Sequence, residues 1–292
     1  MPGTAFRRER STQVREIIFA GALLTALGIS LLTLIVLIVD VVTQGAGSLS
    51  GEFLSETPSR IDPSSSGIAP AIKGTLYLMV VCALFIIPVG VASSLYLEEY
   101  ANRENWFNRF IELNIQNLAA VPSIVYGVLG LAFLVRGPLS LGNVVLAGGL
   151  TLGLLVLPVV IVAGREAIRA VPPSIREGSM ALGATKWQTI WKQVLPASIP
   201  GLATGVILAL SRAIGETAPL IVVGAVAFVT TSSVGFTDGT FSALPITIFG
   251  WTADAQTEFQ ALAAAAIIVL MVILLAMNAV AIWLRNRYEQ KW

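Results

Sequence analysis

Apolar runs long enough to cross a bilayer alternate along this chain with short polar and basic segments. The first run goes from Ile17 to Val39, preceded by Arg7, Arg8, Arg10 and Arg15 and closed by Asp40. About 20 apolar residues in a helix cover a hydrocarbon core, so this run predicts a spanning helix. It is longer than the apolar part of a secretory leader and lacks a small-residue cleavage site. From Gln44 to Ala69 the chain offers Ser, Gly and Pro turn residues and no periodicity. The second run, Gly74 to Leu97, contains Pro88, which predicts a kink; Glu98, Glu99, Arg103 and Arg109 mark the next polar turn.

The third run, Leu113 to Val135, is interrupted by Asn114, Gln116, Asn117, Ser123 and Tyr126 and weakened by Pro122 and Gly127. Polar groups at membrane depth either line a wet cavity or bond neighbouring helices, and the pattern is compatible with both. A fourth run ends near Gly164, with Gly148, Gly149 and Gly153 suited to close helix contact. The fifth, Ala197 to Val229, is too long for one straight span and too short for two with a turn. Pro219 removes a helix hydrogen bond just after Gly215, which predicts a break around Gly215 to Pro219. A loop from Thr230 to Thr257 without Lys or Arg, whose Phe241, Pro245, Phe249 and Trp251 suit either the surface or the interior, precedes the last run, Phe259 to Leu284.

Charge tests these six spans. With both termini on one side, 14 of the 18 basic residues fall on that side; Arg60, Lys73 and Arg136 lie opposite, and Arg212 sits within a span. That bias places both termini in the cytoplasm by the positive-inside rule. Composition agrees: 55% of the 292 residues are hydrophobic and 12% charged, outside the soluble range. One cysteine, Cys82, excludes an intrachain disulfide, and the absence of histidine removes the common zinc and Ser-His or Cys-His sites. The expected organisation is an all-α integral membrane protein, with a tail over residues 1–16, a permease domain over 17–285 and a tail over 286–292.

The segment from Pro172 to Pro196 stands apart from the greasy runs. Ser174 with Glu177 and Thr185 with Gln188 have the spacing of two capping boxes, Gly183 supplies a stop between them, and Pro196 limits the far end. Two short helices are therefore expected. The first carries small residues, Gly178, Ser179 and Ala181, between Glu177 and Gly183, which suits close approach by another surface. The second places Trp187, Ile190, Trp191, Val194 and Leu195 on one face, suited to a membrane surface. An interfacial loop that only connects two spans is the plainer alternative.

These residues carry a resemblance. Glu177-Gly178-Ser179, then Gly183, then Leu195-Pro196 resembles the loop of ATP-binding-cassette importer permeases in its spacing, with Gly178 and Ser179 in place of alanines and Gln193 where isoleucine is usual. Residues 117–127 (NLAAVPSIVYG), 181–187 (ALGATKW), 212–220 (RAIGETAPL) and 259–266 (FQALAAAA) extend it to the PstA family of phosphate-importer permeases, over about residues 70–284. The resemblance implies a six-helix permease of the type I importer fold in a bacterial or archaeal inner membrane. It implies three kinds of partner: a homologous PstC-like permease, a PstB-like ATPase pair, and an external PstS-like phosphate-binding protein. Lipid surrounds the chain, and no nucleic acid is expected. The chain needs no cofactor of its own, since ATP and magnesium belong to the ATPase, and no lysine here follows a glycine as a phosphate-cradling loop requires.

Within that frame Glu177, Gly178, Ser179, Ala181, Gly183, Leu195 and Pro196 form the ATPase-coupling loop, and Arg212, Glu216, Thr217, Ser123 and Tyr126 line the substrate path. A guanidinium suits phosphate through paired hydrogen bonds, and Glu216 at i+4 can neutralise Arg212 when the path is empty. A purely structural ion pair is the alternative for these two. Beyond the break, Thr217 is a candidate cap for a helix aimed at an anion. Sulfate or molybdate permeases share the loop, and a secondary transporter could use Arg212 but has no need of the docking loop.

Overall fold

The computed structural model describes residues 5–60, 62–102, 104–229, 235–237 and 239–287, with side chains from Arg15 onward. Of the basic residues counted above, Arg103 and Lys291 lie outside that set, as do the side chains of Arg7, Arg8 and Arg10. The described residues form twelve α-helices and no strand. Five are long and apolar enough to cross a membrane, and a sixth span results if one sharply bent pair is counted.

Helix α1, Ala5–Gly45, begins before the expected Ile17 and takes in most of the expected N-terminal tail. Every residue from Arg15 to Asp40 is exposed, so its apolar surface faces outside the bundle. Its far end is anchored where Gly45 leaves no room for a Cβ against the backbone of Ala264 and Ala265. The segment after it is more ordered than its turn-rich composition implies. Ser50 caps α2, Gly51–Ser55, by accepting from the Phe53 N–H at 3.0 Å, and Phe53 inserts beside Trp251 and Phe259. Asp62 caps a further turn, its carboxyl held below the usual range by the Ser64 hydroxyl and amide.

The centre of the molecule is the pairing of α3, Ala69–Leu95, with α6, Val145–Arg169. Glycine makes it possible. A Cβ on Gly149 would lie 2.6 Å from Val81, one on Gly153 2.6 Å from Phe85, and one on Gly164 2.7 Å from Ser94. The close approach buries Leu78, Cys82, Ile86, Leu152, Val156 and Val160 almost completely. On its other side α6 meets α9, Leu195–Ala213, through Ala163 against Gly205 and Ala167 against Gly201. Small residues at four-residue spacing let two backbones pack where lipid supplies no hydrophobic drive between helices.

The third apolar run is not one helix. It divides into α4, Trp106–Leu118, and α5, Ser123–Gly130, bent by 108° at Pro122. Proline has no N–H and disfavours helical geometry in the residue before it, so the weakening at Pro122 is a full corner. The elbow comprises α7, Pro173–Ala181, and α8, Lys186–Thr189, and the fifth run continues through α9 into α10, Ala218–Val223. The α9–α10 break falls at residues 214–217, where Pro219 predicts it. From Ala243 the chain dips inward as α11, Leu244–Thr252, which packs against α3 and α12, Thr257–Arg287. Phe241, Leu244 and Trp251 are fully buried while Phe249 faces out; residues 230–234 and 238 of this loop lie outside the described set.

If the glycine contacts hold α3 on α6, Gly149→Leu loses about 1–3 kcal/mol to overpacking. Gly28→Leu on α1, where nothing lies within 4 Å, changes little. Thermal unfolding of the two variants in the same detergent compares them directly.

Candidate functional site

The elbow is built at the end of the bundle where the basic residues gather. Its first helix starts differently from the sequence expectation. Pro172 occupies the cap position, Pro173 begins α7, and no side-chain cap bond forms, so the Ser174–Glu177 box is absent. Two consecutive prolines preset the entry and leave Ser174 already inside the first turn. The second box is present: Thr185 accepts from the Gln188 N–H at 3.2 Å and donates its own N–H to the Gln188 side chain at 2.9 Å. Between the helices Gly183 sits at φ +88°, a left-handed stop that a Cβ would strain, and the Ser179 and Thr189 hydroxyls meet at 2.9 Å.

Pro196 does not end the second helix. The turn Ile190–Val194 is wound wide, the Leu195 N–H reaching back five residues to Ile190, and α8 runs through it into α9 as one helix from Lys186 to Ala213. The wider turn gives the proline ring space that a regular turn denies it. The expected apolar face also divides. Ile190 and Val194 are buried, Val194 against Ile168 and Val171, while Trp187 and Trp191 stack on each other at 5.5 Å and stay exposed. Glu177, Gly178 and Ala181 face outward, Ser179 is half-buried, and Leu182 is 91% exposed at the tip. A cleft of about 480 Å³ separates the two arms, lined by Ser174, Gly178, Leu182, Gln188 and Lys192 among others.

What anchors the elbow is a charge network outside the expected site residues. Arg176 on α7 donates to Glu99 through Nε and Nη2 at 3.0 and 2.9 Å, and to the carbonyls of Val171 and Ile168 at 2.6 and 2.9 Å. Beside it Glu98 pairs with Arg169 at 3.0 Å and Arg165 at 3.5 Å, and Arg165 reaches Glu112 on α4 at 2.8 Å. Lys186 bonds the Glu99 main-chain carbonyl and lies 4.8 Å over the Tyr100 ring. Glu98 and Glu99 are only 7% and 10% exposed. An expected polar turn is thus the inner half of an ion-pair cluster. Its signal in the sequence was an acidic pair closing one apolar run and arginines closing the fourth, on the same side of the membrane.

The second candidate cluster surrounds the α9–α10 break. Arg212 Nε lies 3.3 Å from Glu216, with Arg212 45% exposed and Glu216 19%. Tyr126 is buried and donates to the Leu118 carbonyl at 2.8 Å across the α4–α5 corner, within electrostatic reach of Arg212. Ser123 opens α5 and is half-buried. Gly127 packs directly on Pro219, so the two broken elements meet and bring Tyr126 and Ser123 to the same region as Arg212 and Glu216. Thr217 makes no side-chain cap; only its carbonyl enters α10, accepting from Ile221. The expectation of a Thr217 side-chain cap is corrected here.

Long apolar helices around a glycine-packed core, with a built elbow at the basic end, are the architecture of a membrane permease. The chain belongs to the family described as binding-protein-dependent transport system inner membrane component, which matches residues 86–291. It is 38% identical over 173 residues to the probable ABC transporter permease protein YqgH of Bacillus subtilis, 56% of this chain and 55% of that protein's length. It is 32% identical over 251 residues to the phosphate transport system permease protein PstA of Yersinia pestis, 85% and 82% of the two chains. Among solved structures, a chain of a bacterial alginate ABC transporter in complex with its alginate pentasaccharide-bound periplasmic protein superposes with a TM-score of 0.68 at 15% identity, covering 96% of this chain and 98% of that one, so it shares the fold.

Because nothing lies within 4 Å of a Cβ at Gly183, Gly183→Ala isolates the backbone cost of its positive φ, about 1–2 kcal/mol. Gly183→Asn recovers most of that loss, since asparagine visits the left-handed region. Equal melting temperatures for the alanine and asparagine variants would contradict this account of the turn.

Proposed function

We propose that this chain is the membrane permease of an importer that moves inorganic phosphate inward at the expense of ATP hydrolysed by a separate subunit. The observation that carries the reading is the exposed elbow, tied to the ends of α3 and α6 by Arg176 and Glu99. An outward-facing lever of this kind needs something to push it. The basic end is the cytoplasmic one by charge bias, with both termini there, and the ATPase pair docks on α7. The likeness in sequence to a phosphate transport system permease supports phosphate as the cargo. It also supports a second homologous permease and an external phosphate-binding protein as partners.

Arg212 is the residue assigned to the anion path. A half-exposed guanidinium within a span is costly against lipid, which suits a position facing a water-filled path or a partner helix. Glu216 holds it at 3.3 Å, and phosphate competes for the same N–H groups. Tyr126 and Ser123 supply hydroxyls beside the same break. As the lever moves, α9 carries Arg212 with it, since one continuous helix joins Lys186 to Ala213. The wet path thereby opens to one side at a time.

In vesicles holding the four-component complex, ATP-driven uptake of labelled phosphate should be competed by unlabelled phosphate and not by equimolar sulfate or molybdate. Competition by sulfate would reassign the cargo within the oxyanions. Arg212→Lys keeps the charge but loses the paired geometry, and uptake should fall on the order of tenfold at equal protein level. Unchanged uptake would make the Arg212–Glu216 pair a structural brace.

A further inference from the structure

Glu99 is held by both arms of the elbow at once. From α7, Arg176 grips its carboxylate; from α8, Lys186 bonds its main-chain carbonyl and covers the neighbouring Tyr100 ring. Neither arm is adjacent to Glu99 in sequence. The elbow is inserted between α6 and α9, yet its strongest side-chain attachments run to the end of α3, more than 70 residues upstream. The same guanidinium takes the carbonyls of Ile168 and Val171 at the end of α6, so one side chain joins three segments. Its planar fork fits that arrangement, which a lysine's point charge cannot reproduce.

The local backbone serves this contact. The turn Tyr96–Tyr100 at the end of α3 is wound wide, the Ala101 N–H reaching back five residues to Tyr96 at 2.8 Å. The extra residue in that turn brings Glu98 and Glu99 together onto the face of the arginines. The pair is mostly shielded from water, Glu99 at 10% exposure and Arg176 at 21%. Removing one charge therefore leaves the other poorly solvated, unlike a surface pair, which contributes little. At the other end of the elbow α8 passes into α9 through the wide turn Ile190–Val194, where the contact is apolar rather than ionic: Ile190 and Val194 are buried, Val194 against Ile168 and Val171.

We infer that Glu99 and Arg176 are positioning residues for transport: they form a strut that makes α3 move with the elbow as one rigid unit. Motion imposed on α7 then reaches α3 and the glycine-packed α3–α6 pair together. This inference rests on the proposed import function, and it concerns how force enters the bundle rather than where the ATPase sits or what is carried.

The test uses the complete complex in vesicles, reading phosphate uptake and ATP hydrolysis in the same preparation. Glu99→Gln should lower phosphate moved per ATP hydrolysed at least fivefold while hydrolysis continues. The charge-reversed pair Glu99→Arg with Arg176→Glu should recover part of that ratio. A ratio equal to the unaltered complex in Glu99→Gln overturns the strut. A second arm does not depend on the ionic pair: Glu99→Cys with Arg176→Cys, joined by a short bis-maleimide, should transport as well as or better than the unjoined double variant. If joining them stops uptake, α7 must part from α3 during the cycle and the inference is wrong. The unaltered complex separates the two levels of the argument. If it hydrolyses ATP without moving phosphate, the cargo assignment fails, and the strut is judged by whether an ATP analogue changes amide exchange at residues 96–100 and 173–181 together in the native chain but not in Glu99→Gln.

Discussion

The contact between the Arg176 guanidinium and the Glu99 carboxylate, at 2.9–3.0 Å and mostly out of water, is the constraint around which the basic end of this molecule is arranged. A charge so placed is costly unless every donor finds an acceptor. Arg176 meets much of that demand by donating also to the carbonyls of Ile168, in the last turn of α6, and Val171, just beyond it. The elbow can then leave the bundle with few apolar contacts of its own, because its root is fixed by directional bonds.

Deeper in the bundle, the same economy of space comes from absent side chains. Gly149, Gly153 and Gly164 bring α6 onto α3, and Gly201 and Gly205 bring α9 onto the alanines of α6. Among lipid tails a leucine gains little by leaving one apolar surface for another, so association depends on close backbone approach and interhelical polar bonds. Ser211 with Asn278, at 2.8 Å between α9 and α12, adds one such bond. The packed slab of α3, α6 and α9 gives the network at its end a firm base, and it presents Arg212 at the far end of α9.

Much of this was legible beforehand. Long uncharged runs, the Thr185–Gln188 box, the Gly183 stop and the Pro219 break depend on local chemistry, and each appears where the residues put it. What was hidden depended on geometry that period and propensity do not encode. The Ser174–Glu177 box did not form because two prolines moved the helix start. Pro196 did not stop its helix because a wide turn made room. Pro122 turned an expected weak point into a corner of 108°. The role of Glu99 required knowing that the end of α3 and the start of α7 are neighbours, and spacing within either segment cannot supply that. The same holds for Gly127 on Pro219, which brings two separately broken helices to one place.

The wide turns at Tyr96–Tyr100, Leu131–Val135 and Ile190–Val194 share a mechanical property. Each stores one surplus residue in a helix that otherwise advances 3.6 residues per turn. Such a surplus can pass along the backbone like a wrinkle in a carpet, one hydrogen bond exchanged at a time. Every residue it passes is left rotated by about 100° and shifted by about 1.5 Å. A helix with a wrinkle at its root can therefore turn its lining without unwinding, and the one at Ile190–Val194 stands at the foot of the helix that carries Arg212 in its last turn.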